Sequence, residues 1–157
     1  MEIGGVPLHP LVVHAAVVFT PLAAVLAIVF AVVPRWRWLS RWPTGVAALV
    51  ALGSVFMARL SGEALLEARP GLEPLVRVHE ERAELLSWFV IAFFVIAVTA
   101  VLMLSSTSPL PSGRGARTAP GPASIGELLP VFVVLSALAV IVMVVLTGDA
   151  GSRAVWA

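Results

Sequence analysis

The sequence contains no cysteine, and all ten of its basic residues are arginine. Without cysteine, the chain can form neither a disulfide framework nor a thiolate metal site, and haem cannot be attached through thioether bonds. Charged residues are also scarce: they make up 12% of the chain, against about 25% in soluble domains. Ten arginines nearly balance nine acids, so no basic stripe is available to follow a phosphate backbone, and nucleic acid is not an expected partner.

Apolar residues fill most of the chain instead. They make up 60% of the 157 residues, and the mean hydropathy is +1.04. A helix needs roughly 20 residues to cross a hydrocarbon core of about 30 Å, and four stretches are that long. The sequence therefore predicts an all-α, polytopic four-helix bundle, a single domain over residues 1–157. The predicted spans lie near residues 10–33, 44–62, 85–104 and 127–148.

Two arginine-containing connections indicate how the bundle is oriented. Residues 34–43 interleave three arginines with three tryptophans between two prolines, which is typical of a loop at the membrane interface. Residues 105–123 are rich in Ser, Pro and Gly and carry Arg114 and Arg117, which indicates a flexible cytoplasmic linker. Short arginine-rich loops stay in the cytoplasm. We therefore expect a multi-pass protein of the inner (plasma) membrane with both termini extracytoplasmic; no secretory signal is recognisable, so the first span should remain as an anchor.

The connection between the second and third spans has helical order of its own. Six of the nine acids fall between Arg59 and Glu84, and Arg59, Glu63 and Glu67 recur every four residues. The second helix should therefore continue to about Arg69, where a Pro-Gly pair breaks it. A new helix can begin at residue 74, because proline suits the first turn of a helix. The pattern predicts a hairpin of helices 2 and 3 that extends beyond the membrane on the outer side.

This topology brings all three histidines to the outer side of the membrane. His9 and His14 lie at the start of the first helix, and His79 lies on the apolar stripe of the third. A histidine at the end of a membrane helix is a candidate functional residue unless it is paired. The polar residues predicted to support this site at the same depth are Arg59, Glu63 and Asp149.

Three interpretations of these residues remain open. The histidines can be structural, bonded to backbone carbonyls or carboxylates. They can be ligands, with His14 and His79 as the axial pair of a b-type haem, or with His9 added as a site for a transition metal. They can also support proton or quinone chemistry, with His14, Glu63 or Asp149 as relay groups. Hydrolase chemistry is disfavoured, because no serine has the context of a nucleophile elbow and no glycine-rich phosphate loop is present.

Residues 4–14, GGVPLHPLVVH, resemble the opening motif of the bacterial membrane proteins grouped as domain of unknown function 2231. Residues 148–156, GDAGSRAVW, resemble the glycine-rich ending of one branch of that family, and His79 resembles its loop histidine. The resemblance implies a four-helix membrane domain and, by association, contact with electron-transfer modules. We therefore expect a small membrane subunit or anchor that accompanies redox proteins or forms a homo-oligomer, not an enzyme on its own. The alternative is a non-catalytic scaffold whose histidines are hydrogen-bonded core residues.

Overall fold

The computed structural model describes residues 2–3, 6–104 and 123–156, and almost all of them are helical. A two-residue strand, Glu2–Ile3, pairs antiparallel with Val6–Pro7 ahead of the first helix. The four long helices are α1 (Leu8–Val32), α2 (Arg37–Ala68), α3 (Glu73–Met103) and α4 (Ala123–Trp156). The predicted all-α class is confirmed, and all four helices are long and apolar enough to cross a membrane.

The helices form a four-membered bundle in which each packs against two neighbours. α1 packs against α2 and α4, and α3 packs against the same two helices. Alanines fill much of the core, among them Ala23, Ala27, Ala48 and Ala100, and side chains this small let helix backbones approach closely in lipid. Large apolar side chains cover the outer faces of all four helices, for example Val18, Leu49, Val95 and Leu135. An outer surface of this kind contacts the hydrocarbon of a bilayer.

The turn between α1 and α2 is shorter than the predicted loop. A 3-10 turn at Pro34–Trp36 follows Val33, and α2 begins at Arg37, so Pro43 lies inside a helix. Arg37 explains the early start, because its Nε and Nη2 donate to the carbonyls of Phe30 (3.1 Å) and Ala31 (3.0 Å). The last turn of α1 has no basic residue of its own. The arginine of the next helix therefore satisfies carbonyls that would otherwise lack a donor.

The turn between α2 and α3 lies where the sequence predicts it. α2 ends at Ala68, a 3-10 turn covers Pro70–Leu72, and α3 begins at Glu73 with a proline in its first turn. α2 has 32 residues and α3 has 31. At about 1.5 Å per residue, helices of this length span about 48 Å, which exceeds a hydrocarbon core of about 30 Å. Helices 2 and 3 are therefore long enough to extend beyond the membrane, as the sequence predicts, and the side of the membrane on which they do so stays a prediction.

α4 is longer than the predicted fourth span. It continues through Gly148, Asp149 and Gly151 to Trp156. Glycine in a helix interior costs roughly 1 kcal/mol relative to alanine. Packing of Gly151 against His79 of α3 offsets part of that cost. The predicted linker lies outside the described residues except for Ala123, the first residue of α4.

Candidate functional site at the histidine end of the bundle

His9 lies at the start of α1 and is fastened to α2. Its Nδ1 lies 3.0 Å from the carbonyl oxygen of Ala58 and 3.1 Å from the hydroxyl oxygen of Ser61. A carbonyl oxygen can only accept, so Nδ1 carries the proton. The Ser61 hydroxyl donates to the same Ala58 carbonyl at 2.8 Å. Two polar groups of α2, which are bonded to each other, thus hold the ring of His9 in one orientation.

His79 lies near the start of α3 and is fastened to α4 in the same way. Its Nδ1 donates to the carbonyl oxygen of Thr147 at 2.9 Å. The single proton of the Thr147 hydroxyl is shared between the carbonyl oxygens of Met143 (2.8 Å) and Arg82 (3.3 Å). The carbonyl that orients His79 therefore belongs to a residue that is itself bonded to α3.

These two imidazoles meet, and we call them the histidine pair. Their ring centroids lie 6.3 Å apart and their planes make an angle of 77°. In both rings Nδ1 is occupied by a backbone carbonyl, so in the neutral form the free lone pair of each ring is on Nε2. The pair joins α1 to α3, two helices that lie diagonally across the bundle.

His14 is not part of this pair. Its side chain is exposed on α1, and its Nδ1 bonds to the carbonyl oxygen of Pro10, one turn earlier on the same helix. The sequence-based hypothesis pairs His79 with His14, whereas the structure pairs His79 with His9. The reason is that α1 is apolar all round, so the sequence does not mark which of its faces is turned to the bundle.

The predicted supporting residues form ion pairs that are separate from the histidines. Arg59 Nε bonds to Glu63 Oε1 at 3.0 Å, one turn along the exposed side of α2. Asp149 bonds to Arg153 at 2.9 Å and lies 3.8 Å from Arg82. Among the side chains that the structure describes, in residues 9–104, 126 and 128–154, no hydrogen bond or ion pair joins a histidine to an acid, and no three His, Asp or Glu side chains are grouped to hold a metal ion.

A family model with the description "Predicted membrane protein (DUF2231)" matches residues 5–157. The chain belongs to this family. Comparison with curated proteins finds no match, and comparison with solved structures finds none either.

Two glycines of this family member complete the site, and the sequence-based set missed both. A Cβ added at Gly62 would lie 3.1 Å from Cε1 of His9, and one added at Gly151 would lie 3.0 Å from Cε1 and Nδ1 of His79. Each glycine comes four residues after the carbonyl that its histidine bonds, Ala58 or Thr147. The two halves of the bundle are therefore built alike. A small residue followed by glycine four positions later was the signal in the sequence.

Arg82 is the other residue that the sequence-based set missed. Its Nη1 donates to the carbonyl oxygen of Leu146 at 2.7 Å and lies 3.8 Å from Asp149 Oδ2. Together with Thr147 it fastens α3 to α4 next to His79. No periodicity marks it, because the bond depends on how these two helices are placed side by side.

Proposed function

We propose that this protein is a small membrane subunit or anchor that accompanies membrane redox proteins and binds a b-type haem or a transition-metal ion through His9 and His79. The histidine pair is the observation that carries the proposal. Its two imidazoles come from different helices and present the same nitrogen, Nε2. In this form the predicted ligand set changes from His14 with His79 to His9 with His79.

The hydrogen bonds of the pair support ligation. Histidines that bind metals usually donate their other ring N–H to a carbonyl or carboxylate, which fixes the tautomer and orients the ring. His9 and His79 both do so, towards Ala58 and Thr147. The two ring centroids lie 6.3 Å apart, so both imidazoles can reach a single bound group.

The pair offers two protein ligands, and this number bears on whether a haem or a bare metal ion would bind. A b-type haem would be held by His9 and His79 as its two protein ligands. A bare metal ion held by the same pair would need further ligands from water, a second copy of this chain or a partner. The chain's own residues would hold and orient the group, while the group would supply the electron-transfer chemistry.

The arginines suggest which side of the membrane carries the site. Arg35, Arg37 and Arg41 lie at the end of the bundle opposite the histidine pair. Short arginine-rich connections stay in the cytoplasm. This supports the proposal that the histidine pair and both termini lie on the extracytoplasmic side of the inner (plasma) membrane, where a redox partner would bind.

A purely structural role is the second candidate, and the glycines favour it. Each ring lies against a glycine and bonds a carbonyl of the adjacent helix, so each histidine also joins two helices without any ligand. In this reading the protein is a non-catalytic scaffold.

The absorption spectrum and metal content of the purified protein separate the two candidates. We expect a Soret band or a stoichiometric metal in the wild type, and loss of that signal in His9→Ala and in His79→Ala. His14→Ala is the matched control, because it removes an imidazole from the same end of α1 that the structure leaves outside the pair. If wild-type protein purified from native membranes contained neither haem nor metal, the ligand-binding role would be excluded and the scaffold role would remain.

A further inference from the structure

Arg41 occupies a position in α2 where the pattern calls for an apolar residue. The buried stripe of this helix runs through Arg41, Thr44, Ala48, Ala51 and Val55, at steps of three and four residues. Only 8% of the Arg41 surface is exposed. The guanidinium is therefore held at the arginine end of the bundle, on the side of α2 that faces the other helices.

Arg41 has no anionic partner in the described part of the chain. Its Nε is enclosed and without a hydrogen-bond partner, and the contact that its guanidinium makes is with the ring of Trp42, 5.6 Å from Cζ to the centroid. Its neighbours are occupied elsewhere: Arg37 bonds carbonyls of α1, and Ser40 donates to the carbonyl of Trp36. A buried charge left in this state is costly unless something neutralises it.

The distribution of acids leaves one internal candidate. The acids that the structure describes in ion pairs, Glu63, Glu81 and Asp149, belong to the opposite end of the bundle. At the arginine end the sequence offers Glu127, near the start of α4, whose side chain lies outside the described residues. An internal pair with Glu127 is the alternative that the experiment below must exclude.

We propose that Arg41 binds a phosphate group, and that this phosphate belongs to the headgroup of an anionic phospholipid. A guanidinium presents a planar fork of N–H donors that matches two phosphate oxygens. Large side chains beside it are exposed: Trp36 by 51%, Leu39 by 63% and Trp42 by 67%. Tryptophans of this kind lie at headgroup level, which places the fork at the depth of lipid phosphate.

Thermal unfolding in a neutral detergent tests this site. We compare added phosphatidylglycerol, phosphatidylcholine with the same acyl chains, and inorganic phosphate. Phosphatidylglycerol at about 100 times its Kd should raise the Tm of the wild type by about 5 °C, and phosphatidylcholine should not. Arg41→Gln should weaken the apparent affinity for phosphatidylglycerol at least about tenfold, because it removes a charge-assisted pair of hydrogen bonds. Arg41→Lys, which keeps the charge but loses the fork, should retain part of it.

Arg35→Gln is the matched control. It removes the same charge from the same segment, and Arg35 also lies over a tryptophan, 5.7 Å from the ring centroid of Trp36, but it is exposed. It should bind phosphatidylglycerol like the wild type. If Arg35→Gln and Arg41→Gln lost the same amount of affinity for phosphatidylglycerol, binding would depend only on the positive charge of the segment. That result would overturn the proposal.

Two further outcomes also decide against it. An equal rise in Tm with inorganic phosphate would show that the site binds a free anion, which would contradict the proposal that the phosphate belongs to a lipid. An unchanged wild-type Tm with phosphatidylglycerol, together with Glu127→Gln destabilising the lipid-free protein as much as Arg41→Gln does, would assign Arg41 to an internal ion pair.

Discussion

The orientation of each imidazole in the histidine pair depends on a glycine as much as on a hydrogen bond. The ring of His79 lies in a space that any Cβ at residue 151 would enter, and the bond from Nδ1 to Thr147 keeps the ring there. The two constraints act together: the carbonyl fixes the tautomer, and the absent side chain lets the ring reach the carbonyl. The same holds for His9 over Gly62.

Alanine at residue 151 should therefore destabilise the protein although alanine is the better helix former. The new Cβ would lie 3.0 Å from two ring atoms of His79, and overpacking of this kind costs about 1–3 kcal/mol. That exceeds the helix-propensity gain of up to about 1 kcal/mol. Thermal unfolding in detergent should show a lower Tm for Gly151→Ala.

Gly148→Ala is the control on the same helix. Nothing lies within 4 Å of a Cβ at residue 148, so this change should stabilise the protein by about 0.5–1 kcal/mol. If both variants were stabilised alike, the ring of His79 would be free to move and the site would not be preorganised.

The choice of histidines shows what the sequence could and could not predict at this scale. It placed His9, His14 and His79 at one end of the bundle, and the described structure has His9 and His79 in contact. Which histidine of α1 meets His79 depends on the rotation of α1 in the bundle. An entirely apolar helix carries no periodicity that fixes this rotation.

At the scale of the helices, the carbonyls at the C-terminal end of α1 receive their hydrogen-bond donors from α2. The carbonyls of Phe30 and Ala31 accept from Arg37, a residue beyond the turn. A contact of this kind caps α1 and also holds the turn that leads into α2.

Arg37→Met should lower the free energy of unfolding by about 1–3 kcal/mol, the usual range for bonds to a charged group. Methionine keeps the aliphatic part of the side chain, so the loss reports the two hydrogen bonds together with the contact between the guanidinium and the ring of Phe30, 5.9 Å from Cζ to the centroid. Arg35→Met should stay within about 0.5 kcal/mol of the wild type, because the side chain of Arg35 is exposed and its guanidinium lies over the ring of Trp36. Equal losses in the two variants, measured by thermal unfolding, would contradict a capping role.

Helix ends follow local chemistry at one turn and tertiary contacts at the other. The break at Pro70–Leu72 follows from a proline and a glycine, and the sequence predicts it. The start of α2 at Arg37 follows from a side chain that reaches back across the turn, and the extension of α4 follows from His79 packing on Gly151. Neither contact can be read from a local pattern, which is why both boundaries differ from those predicted.

For the whole molecule, the absence of cysteine makes the orientation in the membrane directly testable. Gly71 lies in the exposed turn between α2 and α3, where a Cβ would meet nothing within 4 Å. In intact cells with an accessible outer face, Gly71→Cys should react with a membrane-impermeant maleimide. Arg35→Cys, at the opposite end, should react only after the membrane is permeabilised. The reverse pattern of labelling would place the histidine pair in the cytoplasm.

The bundle consists of two hairpins, α1 with α2 and α3 with α4. The interhelical side-chain hydrogen bonds and ion pairs among the described residues lie within one hairpin or the other: His9 to Ala58, Thr44 to Leu26, His79 to Thr147, Arg82 to Leu146. Between the hairpins, the described contacts are apolar packing and the ring contact of the histidine pair. In lipid, such apolar packing gains little from the hydrophobic effect.

Because each imidazole is tied down inside its own hairpin, the seam between the hairpins can part at this end without breaking either ring-to-carbonyl bond. The two rings would move apart, each fixed to its own hairpin, with its proton still on Nδ1 and its lone pair on Nε2. A group that bound both rings would therefore join the two hairpins at this end of the bundle, where their contact is otherwise the ring pair and apolar packing.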